Sequence, residues 1–305
     1  MTRVSCIERH DHEQILPMPA FDFVLLILCP TRAFPQTSNN ATPSGGMSET
    51  EINKQLINPV STIWDLTFQQ DTYWIHPGVG GASERNQVDL NFQPVMPVSL
   101  NEDWNLVNRV VFPAFDSSPY VTQSGFHRVT GFGDTILASV LSPSPQLAGR
   151  WILGLGPTFV FPTASNGRLG QGMWQIGPAG ALGYLGEKWV VGVFPQQWFS
   201  YGGWGPKSVN QLNLQYFIQY LPAKGWNVGT SPNMLVNWRA NGSNAVTFPI
   251  GLGIGKVVKF GPLPIKFGVE GQYMPVNPAV FGQRWNIQIK IQPVIPKLIK
   301  GYLLE

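Results

Sequence analysis

The chain has 305 residues, a formal net charge of +3, 12% charged and 12% aromatic residues, 33 glycines and 27 prolines, with a mean hydropathy of -0.01. That composition excludes an intrinsically disordered chain, which needs high charge and few aromatics, and excludes helical membrane spans, which need about 18 consecutive apolar residues. The small, dispersed positive charge offers no basic patch for nucleic acid, and the two cysteines, Cys6 and Cys29, leave the rest of the chain without a disulfide framework, zinc cluster or thiol nucleophile.

Residues 1–33 have the outline of an export signal in an atypical form. Phe23 to Leu28 make a short apolar core, and Ala33, with Thr31 at the minus-three position, makes an acceptable cleavage site. Glu8, Asp11 and Glu13 offset Arg3 and Arg9, so either Met18 is the true start or export is weak or absent. Leu28 stands where a lipoprotein signal through Cys29 would carry a small residue. The competing explanation is a buried core segment of a soluble protein.

Residues 34–60 hold a Pro/Ser/Asn/Thr-rich linker and then one short amphipathic helix. Ser48 and Glu51 form an S-x-x-E capping pattern ahead of Ile52, Leu56 and Ile57, and Asn58-Pro59 ends the run. Its apolar stripe is too small to anchor a domain, so it packs against the remainder of the chain.

From Ser61 the hydrophobic period is two. In residues 211–220, Leu212, Leu214, Tyr216, Ile218 and Tyr220 alternate with Gln211, Asn213, Gln215, Phe217 and Gln219, the order of a strand with one apolar face. Trp285, Ile287, Ile289 and Ile291 alternate in the same way with Asn286, Gln288, Lys290 and Gln292. Other segments set large apolar residues against glycines, as in Phe248, Ile250, Leu252 and Ile254 against Gly251, Gly253 and Gly255. About twelve strands are counted in residues 61–297, an even number of the kind that single-chain membrane barrels use, with residues 298–305 as a C-terminal tail.

The connections alternate in length. Short ones fall at 99–103, 142–150, 186–188, 222–225 and 260–264; between them come mostly longer ones at 71–86, 113–132, 162–172, 201–208, 240–245 and 274–283. Short turns at one end and long loops at the other are the pattern of an outer-membrane barrel. Trp104, Trp151, Trp189 and Trp226 each begin a strand at the short-turn end, the level at which an amphipathic indole meets lipid headgroups. Were the tryptophans instead to cap a soluble β-sandwich, the loop alternation would be a coincidence.

Signals for chemistry are weak. Ser124, His127 and Asp134 can be imagined as a hydrolase triad, but closeness in sequence is poor evidence for one and a solvated loop is the simpler reading. The run GLGIGK at residues 251–256 lies inside a strand pattern with no helix after it, which rejects a phosphate loop. No catalytic residue, cofactor or metal site is assigned, and the chain is expected not to be an enzyme. The strand-borne polar residues Asp65, Asp89, Arg109, Arg239, Lys266, Glu270, Lys290 and Gln215 mostly share the phase opposite the apolar face, which assigns them to a lumen; a cation on the lipid face near the midplane would cost about 2 to 4 kcal/mol. Their mixed signs suggest a polar, cross-bridged interior or a salt-bridge network that closes it.

The segments INPVSTIWDLTFQQD, LNFQPVMPVSLNEDWNLVNRVVFP, GFGDTILASVLSP, WILGLGPTFVFPTAS and WNIQIKIQPVIP resemble a family of bacterial outer-membrane β-barrel proteins often labelled transporter or, wrongly, neuromedin U. They are similar to the barrel family named for a role in the MetA pathway of phenol degradation. The resemblance covers Ile52 to about Lys297. It implies an all-β, antiparallel transmembrane barrel in the bacterial outer membrane that passes small solutes, with membrane lipid and a small molecule as partners and no nucleic acid. It carries no substrate and no catalytic residues. The alternative is a non-conducting barrel whose loops bind a surface partner.

Overall fold

The computed structural model describes residues 46–78 and 83–304; the export-signal residues 1–33, both cysteines and most of the linker lie outside the described residues. The first element is the helix α1, Glu49–Ile57, whose N-cap Ser48 takes the Glu51 amide at 3.2 Å. Fourteen strands come after it: β1 Trp64–His76, β2 Arg85–Ser99, β3 Trp104–Thr122, β4 Gly125–Gly131, β5 Thr135–Pro143, β6 Trp151–Phe161, β7 Met173–Leu185, β8 Trp189–Gly203, β9 Asn210–Tyr220, β10 Trp226–Thr230, β11 Asn233–Asn237, β12 Val246–Phe260, β13 Leu263–Val276 and β14 Gly282–Ile295.

Every pairing is antiparallel, and β1 pairs with β14, so the sheet closes on itself. Two departures reduce the ring to twelve strands. The segments β10 and β11 both pair with β9 on one side and β12 on the other, so they are one strand interrupted at Ser231-Pro232, where proline cannot donate to the ladder. β4 pairs only with the far half of β3, so it folds back as a hairpin beyond the barrel. The segment 113–132, expected as a loop, is therefore mostly strand. The first long loop is also shorter than its sequence suggests, because β1 runs to His76 and β2 starts at Arg85.

The outer surface is aliphatic and aromatic. Leu155 is 71% exposed, Leu252 68%, Leu182 55% and Ile250 54%, a continuous apolar exterior that is stable against lipid and not against water. The inward positions of the same strands carry Gln, Asn, Gly and charged groups toward the long-loop half. At the short-turn end the interior changes character. Val107, Val140, Ile152, Ala181, Val190, Phe194 and Phe217 pack there with Val60 and Ile57 into an apolar core within the barrel.

The helix α1 closes the remainder of that end. Ile52, fully buried, packs on Ile63, Val257 and Val294. Asn53, also fully buried, donates from Nδ2 to the Gly225 carbonyl at 2.8 Å and to Asn227 Oδ1 at 3.1 Å. Thr50 Oγ1 accepts from the Gly225 amide at 3.2 Å. The helix is thus tied by buried hydrogen bonds to the short turn before β10.

Candidate functional site

A cavity of about 280 Å³ lies between the end of α1 and the strand walls. Its walls are chemically unlike. The strands β8 to β11 contribute a hydroxyl and uncharged amides: Gln196 Oε1 accepts from Thr158 Oγ1 in the wall behind it at 3.0 Å, Gln215 Nε2 donates to Ser231 Oγ at 3.0 Å, and Asn227 Nδ2 donates to Gln219 Oε1 at 2.8 Å. The charged side chains of the lining, Asp65, Asp71, Arg109, Lys266, Glu270 and Lys290, come from β1, β3, β13 and β14.

The ladder register sets the order of these charges. Asp71 stands across from Asp89 on β2, and Asp89 across from Asp116 on β3, which places three carboxylates in one row. On the other side Asp71 faces Gln288, and Gln288 faces Glu270. Nearer the short-turn end Gln69 faces Lys290, and Gln292 faces Lys266. Lower still, Asp65 faces Val95, which faces Arg109.

The carboxylates are satisfied by neutral donors. Asp71 accepts from Gln69 Nε2 at 2.6 Å, Asn286 Nδ2 at 2.8 Å and Gln288 Nε2 at 2.9 Å. Glu270 accepts from Thr230 Oγ1 at 2.7 Å, from the Ser231 amide at 3.1 Å and from Gln272 Nε2 at 3.2 Å. Asp65 accepts from Thr67 Oγ1 at 2.7 Å, which in turn accepts from Gln292 Nε2 at 2.9 Å. Asp89 takes Gln87 Nε2 at 3.0 Å, and Asp116 takes Ser118 Oγ at 2.6 Å.

The cations are not matched in this way. Among the described residues the two ion pairs within 4.0 Å are Arg150 with Glu187 and Arg284 with Glu84, all four well exposed. Cross-bridging of the lumen charges, expected from their mixed signs, is therefore replaced by carboxylate-to-amide bonding. Arg109 reaches the Pro59 carbonyl at 3.5 Å and lies over the Phe194 ring at 5.1 Å.

Of the sequence-derived lumen set, Asp65, Arg109, Gln215, Lys266, Glu270 and Lys290 line the cavity. Asp89 sits in the row above it, and Arg239 falls in the exposed turn after β11. Two residues of the charged row are absent from the sequence-derived set. Asp71 continues the phase of Asp65, and extending the β1 alternation beyond residue 70 would have found it. Asp116 is hidden by a one-residue register shift between Leu90 and Asn91, opposite residues 113–115; such a bulge re-aims the side chains beyond it. Trp104, Trp151, Trp189 and Trp226 are each the first residue of a strand at the short-turn end and are 38%, 56%, 53% and 38% exposed. Trp151 packs edge-on against Tyr184 at 5.3 Å, and Trp189 lies 4.9 Å from Tyr220. A second aromatic set sits at the long-loop end, where Trp74 faces Trp285 and Tyr273 lies 4.6 Å from Trp285.

No protein-family model matches the chain, and no curated protein matches it. Solved structures do. An outer-membrane channel from Pseudomonas putida F1 is 16% identical, over 76% of this chain and 94% of that chain, with a TM-score of 0.55. A FadL homologue from Pseudomonas aeruginosa is 10% identical, over 79% and 93%, with a TM-score of 0.39. Outer-membrane phospholipase A from Escherichia coli is 11% identical, over 81% and 99%, with a TM-score of 0.39. At these identities the likeness is one of fold. With the closed ring and the apolar exterior it establishes an outer-membrane β-barrel, located in the bacterial outer membrane and in contact with its lipid.

The expectation that the chain is not an enzyme needs correction. The solved barrels that match the chain include an enzyme, outer-membrane phospholipase A, and the expectation is withdrawn. Ser124 and His127 are solvated, as expected, but lie at the tip of the β3–β4 hairpin rather than in a loop, with Ser124 Oγ 2.9 Å from His127 Nε2. Neither finding assigns an activity. Asp134 is not part of that pair, because its carboxylate accepts the Ala164 and Gln171 amides at 3.1 and 2.7 Å.

Proposed function

We propose that the chain is a passive outer-membrane channel for small polar or aromatic solutes, with α1 as a plug at the short-turn, periplasmic end. The observation that carries this reading is the internal cavity, walled by hydrogen-bonding side chains and bounded at one end by the helix α1. In this proposal Asp65, Arg109, Gln215, Lys266, Glu270 and Lys290 line the path, Asp89 lies in its wall, and Trp104, Trp151, Trp189 and Trp226 form the headgroup girdle. The narrower kinship with the phenol-degradation barrels belongs to the same proposal and rests on the sequence segments. Planar bilayers and liposome swelling test it, with the full chain and with residues 49–57 deleted. Conductance and solute uptake that rise on deletion support it; silence in both proteins overturns it.

The apolar core at the short-turn end, with Phe194 and Phe217 buried beneath Val60, favours a second reading. In it the barrel does not conduct and serves through its long loops. Loop deletions that abolish binding to a surface partner while the barrel stays impermeable would favour that reading.

A further inference from the structure

The lumen charges are unevenly used. Asp65, Asp71 and Glu270 each accept hydrogen bonds from neutral protein donors. The three cations beside them bring about eleven N–H donors, five from an arginine and three from each lysine, and among the described residues one of these reaches a protein acceptor, at the long distance of 3.5 Å. Lys266 is 7% exposed and, with Lys290 and Arg109, borders the cavity. Among the described residues no carboxylate lies within 4.0 Å of any of the three. Lys266 is buried and Arg109 and Lys290 are half-buried, so all three present N–H groups at the cavity rather than to protein acceptors, and a negatively charged acceptor is the partner such donors bond most strongly.

The shape of the surroundings narrows the ligand further. The Phe194 ring, Val95, Ala138 and Ile57 give the cavity an apolar side next to the cations. A volume of about 280 Å³ admits one small organic molecule, near the lower end of ligand sites.

We infer that the cavity is a binding site for a small organic carboxylate, whose anionic end is held by Lys266, Lys290 and Arg109 and whose apolar body rests against Phe194. As a statement about solute class this rests on the channel reading; as a statement about binding it stands without it. The carboxylates already bonded to amides take no part, so the site discriminates by charge although the lining as a whole balances.

The purified full chain in detergent is titrated calorimetrically with sodium benzoate, with benzyl alcohol as a neutral ligand of the same shape, and with sodium chloride. Benzoate is expected to saturate at concentrations where benzyl alcohol and chloride do not. The double variant Lys266→Gln/Lys290→Gln is expected to bind benzoate at least about tenfold more weakly, a loss of about 1.4 kcal/mol, while Lys266→Arg/Lys290→Arg retains it. Equal binding of benzoate and benzyl alcohol, absence of binding, or unchanged affinity in the glutamine variant overturns the site. Displacement of benzoate by equimolar chloride makes it a plain inorganic-anion site and also overturns it. The two ligands compared on the unaltered protein decide the matter even where a variant fails to fold. Benzoate flux into liposomes separates the two proposals: binding without flux, even with residues 49–57 deleted, removes the channel and keeps the site, and flux without binding does the reverse.

Discussion

Asp89 on β2 stands directly across the ladder from Asp116 on β3, with Asp71 on its other flank. Like charges at directly opposed sheet positions are destabilising, by a few tenths to about 1 kcal/mol. Asp71 offsets its share with three amide donors, whereas among the described residues Asp89 takes the Gln87 amide and Asp116 the Ser118 hydroxyl. Asp89→Asn is therefore expected to raise the stability of the barrel by about 0.5 kcal/mol, seen as a higher temperature for the gel-mobility shift on heating. A lower transition temperature would mean that the row is held by a contact that asparagine cannot make.

Of the contacts that hold the plug, Asn53 supplies the buried side-chain hydrogen bonds. Asn53 is fully buried and bonds both the Gly225 carbonyl and Asn227 Oδ1; its loss leaves Asn227 Oδ1 without that donor, at a cost of about 1 to 3 kcal/mol, while the Gly225 carbonyl keeps the Val257 amide at 3.0 Å. Asn53→Ala is expected to raise the open probability of the channel in planar bilayers about tenfold without raising its unitary conductance, since the helix leaves more often but the path is unchanged. Gly225→Ala should act in the same direction. Its backbone sits at φ +74, and a Cβ there would press on Glu49 of the helix at 2.8 Å. Unchanged gating in both variants would count against α1 as the plug.

Three of the four girdle tryptophans meet an aromatic or cationic neighbour: Trp151 meets Tyr184, Trp189 meets Tyr220, and the Lys256 ammonium lies 4.9 Å over the Trp226 ring. An aromatic pair adds about 0.5 to 1.5 kcal/mol beyond its buried area. Trp189→Ala is accordingly expected to destabilise the barrel by at least about 1 kcal/mol in lipid vesicles, measured by urea titration, and Trp189→Phe by much less. If Trp189→Ala cost nothing in vesicles, the short-turn end would not lie at the headgroup level.

Much of this architecture is legible in the chain because a barrel strand writes its two environments into alternate residues. In β9 and β14 the apolar residues face lipid and the other phase faces the lumen, amides joined by Phe217 in β9 and Lys290 in β14, and the phase can be read residue by residue. It fails where the backbone breaks the period. The bulge before Asp116 turns that side chain inward against the count, and the β3–β4 hairpin, polar on both sides, reads as loop. The hydrogen bonds from Asn53 to Gly225 and Asn227 join residues more than 170 positions apart, and no local pattern announces such a contact. Nor does composition reveal that lumen carboxylates bond to amides and leave the cations over, since both arrangements use the same residue types.

Phe194 offers a test that separates gating from bore. It is 2% exposed, packs within the barrel on the core that includes Val60 and Phe217, and carries the Arg109 guanidinium at 5.1 Å over its ring. Truncating it removes a large side chain between the cavity and the short-turn end and costs about 3 to 5 kcal/mol of stability, as core phenylalanines do. Phe194→Ala is expected to widen the path itself, so its unitary conductance should exceed that of the unaltered protein while open probability changes little. That is the inverse of the Asn53→Ala signature. Should Phe194→Ala fold, as judged by heat-shifted mobility, and conduct no more than the parent, the constriction lies in α1 alone. An additive gain in total current from the double variant Asn53→Ala/Phe194→Ala on a logarithmic scale would show the two barriers to be independent.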